Sequence, residues 1–170
     1  MIIKINKKTD FEFTFKNINE LANKKPECRI QVNGDDMYTG KVSECIKFSC
    51  DARGKNVIRI YFENKDGKDT IVDKHGKVIK DLNFELERLK IDDMDMEHIL
   101  WESKYFAKDT VIEKCLFFGP KGYFEFEFGL PLLRWWLETN HNKNNSDPTW
   151  ENDLKNYETV CQKLSKIPTK

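Results

Sequence analysis

The sequence predicts a mostly β fold, an antiparallel, jelly-roll-like β-sandwich with one short helix and a C-terminal amphipathic helix. Two observations predict the sandwich: apolar and polar residues alternate in several short segments, and turn-forming residues separate these segments. The spacing becomes helical only after Gly129, which predicts helices near the end of the chain. A chain of 170 residues is long enough for one domain that removes roughly 70% of its unfolded surface from water.

Five segments alternate strictly, with apolar side chains on one face and mostly polar or charged side chains on the other. This pattern is typical of antiparallel strands with one buried face. The apolar members are Phe11, Phe13 and Phe15; Ile30 and Val32; Ile46, Phe48 and Cys50; Ile58, Ile60 and Phe62; and Phe124, Phe126 and Phe128. Many short strands of this kind indicate two sheets that close over a shared apolar interior.

A sixth segment, residues 84–91, alternates with one interruption. Its apolar phase slips by one residue between Leu86 and Leu89. A β-bulge at Glu87 and Arg88 would return the later residues to the inward face, and a short helix is the alternative. We interpret the segment as a bulged strand.

Two glycine turns separate further strands. Asn33-Gly34 suits a two-residue turn in which both residues have positive φ, so the strand before it is expected to turn back sharply. His75-Gly76 lies between two short β-branched runs and predicts a second hairpin.

Helical signals begin at Pro131, which suits the first turn of a short helix over 132–139. Residues 140–146 are polar and predict a loop, and Asp147-Pro148 then marks the start of a second helix. The apolar stripe of that helix consists of Trp150, Leu154, Tyr157, Cys161, Leu164 and Ile167. We therefore expect a sandwich domain over 1–138 and a polar linker with a C-terminal helix over 139–170, the helix packing either on its own domain or on a protein partner.

The charge balance and the absence of targeting signals limit the functional classes. Lys and Arg number 29 and so do Asp and Glu, whereas a general binder of nucleic acid needs a basic excess. The first residues lack the apolar stretch of a signal peptide, and no apolar run is long enough to span a bilayer. We expect no nucleic-acid partner, no membrane partner, and a protein that is made and kept in a cytoplasm or assembled there into something larger.

The cysteines and the missing catalytic motifs favour binding over catalysis. Five cysteines without CxxC spacing are interpreted as reduced thiols that act as small apolar side chains. The three histidines lack zinc-ligand spacing, and no nucleophile motif is present. We expect a protein that is not an enzyme. A small hydrolase that uses the carboxylates of Asp69, Asp73 or Asp95 is one alternative.

A loop rich in oxygen ligands is the candidate metal site, with calcium as the expected ion. Its candidate ligands are Asn64, Asp66, Asp69 and Asp73. The spacing does not match an EF-hand, and Lys65 and Lys68 would partly neutralise the loop. The alternative is a solvated loop whose aspartates cap turns, in which case the protein has no cofactor.

Aromatic residues that do not fall on the core-facing positions of the alternating segments are candidates for contact with a ligand or protein partner. Tyr61 and Tyr123 fall on the outward face of their strands, where they could form a platform for a sugar or a protein. The full candidate set is Tyr61, Trp101, Tyr123, Trp135 and Trp150.

One stretch resembles a known group of proteins. Residues 64–81 read NKDGKDTIVDKHGKVIKD, and they resemble small uncharacterised β-sandwich proteins of large tailed bacteriophages, especially marine ones. IQVNG at 30–34, GYFEF at 122–126 and PLLRWWL at 131–137 fit the same pattern, so the resemblance extends to about Glu138. Such proteins are similar in fold to calcium-dependent carbohydrate-binding modules. The resemblance implies a virion-associated structural or accessory role, or calcium-dependent glycan binding, without an assigned reaction.

Overall fold

The computed structural model describes residues 7–100 and 102–143, with the side chains of 140–143 left aside. The strands are β1 (Lys7–Asn19), β2 (Glu27–Val32), β3 (Asp35–Lys41), β4 (Cys45–Ala52), β5 (Lys55–Phe62), β6 (Thr70–Val72), β7 (Val78–Asp81), β8 (Asn83–Ile91), β9 (Met94–Asp95), β10 (Lys104–Ala107), β11 (Thr110–Glu113), β12 (Phe117–Phe118) and β13 (Gly122–Gly129). The helices are α1 (Glu97–Leu100) and α2 (Leu132–Lys143).

These strands form two large sheets and one small one. The six-stranded sheet has the order β11-β10-β13-β5-β2-β3, and the five-stranded sheet has the order β12-β8-β1-β4 with β9 paired to β8. Among the described strands, β6 and β7 pair only with each other and form a two-stranded hairpin. Strands far apart in sequence therefore become neighbours, as in β13 beside β5.

The two large sheets pack face to face through aromatic rings. Phe84 of β8 lies 5.0 Å from Phe62 of β5 in an edge-to-face contact. Phe118 of β12 lies 5.3 Å from Tyr105 of β10 and 6.0 Å from Phe124 of β13. Because each contact joins one sheet to the other, the prediction of an antiparallel β-sandwich is confirmed. The jelly-roll connectivity stays a prediction.

The bulge predicted in β8 is confirmed. Thr14 of β1 pairs with Arg88, and the next residue, Phe15, pairs with Leu86, so Glu87 is the extra residue. Phe84, Leu86, Leu89 and Ile91 are all buried as a result. One inserted residue thus returns the second half of the strand to the core face.

Both predicted hairpin turns are also confirmed. Asn33 has φ 56° and Gly34 has φ 91°, the left-handed backbone that a two-residue turn between β2 and β3 needs. Gly76, with φ 80°, lies in the turn between β6 and β7. Asp73 closes that turn because its Oδ1 accepts hydrogen bonds from the backbone N–H groups of His75 and Lys77 at 2.8 and 2.9 Å.

The contacts divide the chain into two compact units between Glu127 and Phe128. In the second unit α2 begins at Leu132 as predicted, but it continues to Lys143, so the loop predicted for 140–143 is wrong. Hydrogen bonds between residues four apart accompany this longer helix, as between Arg134 Nε and Glu138 at 2.9 Å. Residues 144–170, with the predicted C-terminal helix, lie outside the described residues.

Two further expectations have a structural outcome. No helix among residues 7–100 and 102–143 is both long enough and apolar enough to cross a membrane.

Four of the cysteines are free thiols, and Cys28 is a buried apolar side chain as predicted. Cys45 is exposed instead, because it begins β4 on the outward side, and Cys50 and Cys115 are partly exposed. Cys161 lies beyond the described part.

Candidate functional site

Among the described residues, Lys65 is a lysine whose side chain is buried, only 5% exposed. Its Nζ donates hydrogen bonds to the backbone oxygens of Asp69 at 3.2 Å and Leu82 at 2.8 Å, and to Asp81 Oδ1. Thr70 Oγ1 donates to the same carboxylate oxygen of Asp81. Lys65 therefore joins the two chain segments at the base of the β6–β7 hairpin.

A second lysine holds the carboxylate of Asp69. Lys24 Nζ lies 2.6 Å from Asp69 Oδ2 and 3.5 Å from Asp66 Oδ2. Asp69 Oδ2 also accepts the backbone N–H of Asp66 at 2.8 Å, and Asp66 Oδ1 accepts the N–H of Lys68 at 2.8 Å. These bonds fix the loop that leads into the hairpin.

Burial and hydrogen bonding act in opposite directions on these two carboxyls. Burial raises the pKa of Asp69, but hydrogen bonds from Lys24 and from the backbone of Asp66 lower it more, so the net pKa lies below its ordinary value. Burial likewise raises the pKa of Asp81, and hydrogen bonds from Lys65 and Thr70 outweigh it, so that pKa is lowered too. Both groups are ionised at neutral pH.

The four candidate calcium ligands have partners within the protein. Asn64 accepts the N–H of Glu27 and donates to the carbonyl of Lys25, which ties the loop to the start of β2. Asp66, Asp69 and Asp73 accept turn N–H groups or lysine ammonium groups, as described above. Over the described ranges, no group of three or more His, Cys, Asp or Glu side chains is arranged to hold a metal ion. The calcium site stays a prediction.

In the described part of the chain, the three carboxylates considered for a hydrolase are not joined to one another by hydrogen bonds. Asp69 lies at the hairpin base and Asp73 closes the hairpin turn. Asp95 accepts the N–H of Glu97 at 2.9 Å and lies 3.2 Å from Arg88. A general acid of glycoside hydrolysis needs a raised pKa, whereas the pKa of Asp69 is lowered.

The β6–β7 hairpin exposes four large aliphatic side chains. Ile71, Val72, Val78 and Ile79 are 44, 52, 54 and 60% exposed. Val72 pairs directly with Val78, whereas Ile71 pairs with Lys80, so Ile79 is the extra residue of a bulge. Since neighbouring residues of a strand point to opposite faces, apolar groups occur on both faces of the hairpin.

The same hairpin has an unbalanced charge. Lys74, Lys77 and Lys80 are exposed and form no ion pair with the described residues. Of its two acidic residues, Asp81 is paired with Lys65 and Asp73 closes the turn with its charge retained, so three lysines stand against one carboxylate. The outer surface of the hairpin is therefore apolar and basic.

The outward aromatic residues predicted for β5 and β13 do come together. Tyr61 and Tyr123 have ring centroids 5.1 Å apart, and Phe106 of β10 stacks on Tyr123 at 4.8 Å. On the other side, the guanidinium of Arg29 lies 4.2 Å from the Tyr61 centroid. These four side chains form what we call the aromatic row, which crosses β10, β13, β5 and β2.

The rings of the aromatic row contact one another and are partly exposed. Phe106 and Tyr123 are nearly parallel, with an interplanar angle of 13°, so their facing surfaces are in contact. The row therefore makes contacts across the strands of the sheet. Sequence reasoning found both tyrosines but missed Phe106 and Arg29, whose strands are distant in sequence.

The remaining candidate aromatics have separate outcomes. Trp135 of α2 packs against Phe128 with ring centroids 6.5 Å apart, and its side chain lies close to Gly129. It is part of the packing of the second unit. Trp101 and Trp150 lie outside the described residues.

Sequence reasoning found the hairpin but not its apolar surface or the buried lysine beneath it. The apolar surface of the hairpin did have a signal in the sequence: Ile71 is followed by Val72, and Val78 by Ile79. Because successive residues of a strand point to opposite faces, the two members of such a pair cannot point to the same face. Lys65 has no such signal, because its burial depends on carbonyl groups that only the folded chain brings near.

Comparison with known proteins adds no family. The chain matches no protein-family model, no curated protein and no solved structure.

Proposed function

We propose that this protein is a non-catalytic interaction protein that contacts a protein partner through the β6–β7 hairpin. The observation that supports the proposal is the exposure of Ile71, Val72, Val78 and Ile79 on one small sheet. Exposed apolar side chains that are grouped on one small element, unlike singly scattered ones, are typical of interaction surfaces.

The hydrophobic effect gives the reason such a surface needs a partner. Burying an Ile or Val side chain fully contributes about 1.5–3 kcal/mol, and these four side chains leave about half of that unrealised. A two-stranded hairpin is also marginally stable by itself in water. A partner that covers the hairpin would bury the exposed parts of these side chains and so recover the remaining free energy of apolar burial. It would also stabilise the pairing of the two strands.

The hairpin base supports the same proposal. Lys65 binds Asp81 and two backbone carbonyls, which ties both strands of the hairpin to the sandwich. A surface that is ordered before it binds loses less conformational entropy on binding.

The resemblance of residues 64–81 to phage sandwich proteins supports a more specific setting, a structural or accessory component of a virion. In this proposal the partner is another virion protein. The carbohydrate-binding and hydrolase alternatives have no comparable observation in their favour.

On this proposal the chain is encoded by a phage, and its incorporation into purified particles of that phage is the test. We expect the wild-type chain to co-purify with particles, and Ile71→Ser/Ile79→Ser to reduce its amount at least tenfold. The matched control is Val111→Ser/Ile112→Ser on β11, which removes two exposed aliphatic side chains elsewhere and leaves incorporation unchanged. Equal incorporation of the hairpin variant and the wild type would reject the hairpin as the contact.

A further inference from the structure

We infer that the hairpin fits an acidic protein surface with apolar side chains between its carboxylates. This inference rests on the proposed function and adds the chemistry of the partner. It is carried by two properties of the same hairpin: its exposed aliphatic groups, and three exposed lysines that form no ion pair with another described residue.

The charge of the hairpin defines the first requirement. Lys74, Lys77 and Lys80 lie on β7 and its turn, and none forms an ion pair within the described part of the chain. Asp81 is paired with Lys65, whereas Asp73 keeps its charge while it closes the turn, so the three lysines outnumber the one remaining carboxylate and the hairpin surface is net basic. A partner must supply the carboxylates, because opposite charge across an interface favours encounter and fixes register.

The same charges argue against a second copy of this hairpin as the partner. A two-fold contact places the same patch on both sides. Two hairpins face to face would bring both sets of Lys74, Lys77 and Lys80 together, and the two Asp73 carboxylates would balance only part of that charge. Like charges in a contact oppose association.

The position of the apolar groups argues against a lipid surface. The turn that would enter a bilayer first carries Lys74, His75 and Lys77, and the aliphatic side chains lie behind it on β6 and β7. The hairpin also lacks the Trp and Tyr residues that are enriched at membrane interfaces. A protein groove can instead meet both faces of the hairpin and its lysines at once.

A defined acidic and apolar probe tests this inference directly. The full chain, labelled with nitrogen-15, is titrated with a random copolymer of glutamate and tyrosine, and with polyglutamate and polylysine for comparison. We expect the copolymer to shift the amide signals of residues 70–81 and to bind at least tenfold more tightly than polyglutamate. Polylysine should cause no shift, and added salt should weaken copolymer binding.

Matched charge variants show whether the hairpin lysines are responsible. Lys74→Glu/Lys77→Glu/Lys80→Glu should weaken copolymer binding at least tenfold. Lys41→Glu/Lys55→Glu/Lys121→Glu changes the net charge equally at exposed lysines elsewhere, and its affinity should stay within threefold of wild type. Ile71→Ser/Ile79→Ser should reduce the copolymer's affinity to that of polyglutamate.

Three results would overturn the inference. They are no copolymer binding at residues 70–81, hairpin-dependent binding to phosphatidylcholine–phosphatidylserine vesicles, or hairpin-dependent self-association in sedimentation equilibrium. If any of these occurs while the hairpin variant still fails to enter particles, the proposed function stands and only the partner chemistry is wrong. If the variant enters particles normally, the proposed function fails first.

Discussion

A single lysine shows how far the environment of a residue can differ from its usual one. Lysine is almost never fully buried unless it is paired, and Lys65 lies in a polar, glycine-containing loop that looks solvated in the sequence. In the fold it is covered, and its three hydrogen-bond partners include the carbonyls of Asp69 and Leu82. Sequence patterns predict which strand faces are apolar, but they do not show where backbone carbonyls will converge.

Replacing this lysine should strongly destabilise the protein. Lys65→Met keeps a four-atom stem but removes the ammonium donor to Asp81 and to the carbonyls of Asp69 and Leu82. Among the described residues, Asp81 then keeps only its neutral donors, the side chains of Thr70 and Asn83. The Asp69 carbonyl keeps the N–H of Leu82. Removing one partner of a buried ion pair costs about 3–5 kcal/mol, and because Asp81 is 13% exposed we expect the lower end of this range. Urea denaturation of wild type and variant measures the free energy of unfolding.

The control for this prediction is an exposed lysine of the same loop. Lys68→Met should change the free energy of unfolding by less than about 0.5 kcal/mol, since surface substitutions rarely do more. Equal stabilities of Lys65→Met and Lys68→Met would show that the buried hydrogen bonds contribute nothing.

The lowered pKa of Asp81 leads to a prediction about acid stability. The folded-state pKa lies below the unfolded value of about 3.9. Its contribution to stability is therefore fully present above that value and is lost as the pH falls through the lower, folded pKa. Asp81→Asn should be less stable than wild type at pH 7, and this difference should shrink below about pH 4.

Free energies of unfolding measured at pH 7, 5, 4 and 3 test this dependence. Asp51→Asn, at an exposed aspartate of β4, serves as the control and should show a smaller change in its difference from wild type. A difference between Asp81→Asn and wild type that is constant with pH would contradict the prediction.

At the level of strands, the alternation of apolar and polar residues predicted which face of a sheet each side chain lies on, but not which strands lie beside each other. It placed Tyr61 and Tyr123 on outward faces, and the structure brings them into contact because β5 lies beside β13. The order of strands in a sheet depends on long-range pairing, which has no local signal in a single sequence. The sequence therefore predicted the two outward tyrosines of the aromatic row, but not that its four side chains contact one another across the sheet.

The aromatic row should stabilise the six-stranded sheet through its cation–π contact. Arg29 and Tyr61 are directly paired across β2 and β5, with the guanidinium 4.2 Å from the ring centroid. A double-mutant cycle with Arg29→Ala and Tyr61→Ala should give a coupling energy of about 0.5–1 kcal/mol. Thermal or urea unfolding of the four proteins measures it.

A second arginine supplies the comparison. Arg59 lies 5.8 Å from the ring centroid of Tyr123, near the limit of such contacts, so the Arg59–Tyr123 cycle should give the smaller coupling. A larger coupling for this pair than for Arg29–Tyr61 would mean that distance to the ring does not govern the interaction.

The fold of the whole molecule was predictable to the extent that it depends on period-two alternation. Each of the five alternating segments lies within a strand, and β8 has its bulge at the predicted place. The short strands β10, β11 and β12 were not predicted as strands, because two to four residues are too few to show a period. Their place in the sheets depends on contacts with longer strands.

The packing between the sheets leads to a final prediction at Phe84, which is fully buried. Its ring contacts Phe15 at 5.6 Å within its own sheet, Phe118 at 4.4 Å, and Phe62 of the opposite sheet at 5.0 Å. Phe84→Ala would leave a cavity where the two sheets meet, and we expect a loss of about 3–5 kcal/mol in the free energy of unfolding. Phe117→Ala removes a ring that is 41% exposed, on a strand paired to β8, and should cost less than about 1 kcal/mol. Urea denaturation measures both. If Phe84→Ala were no more costly than Phe117→Ala, the rings would not be what holds the sheets together, and the sandwich would depend on some other contact.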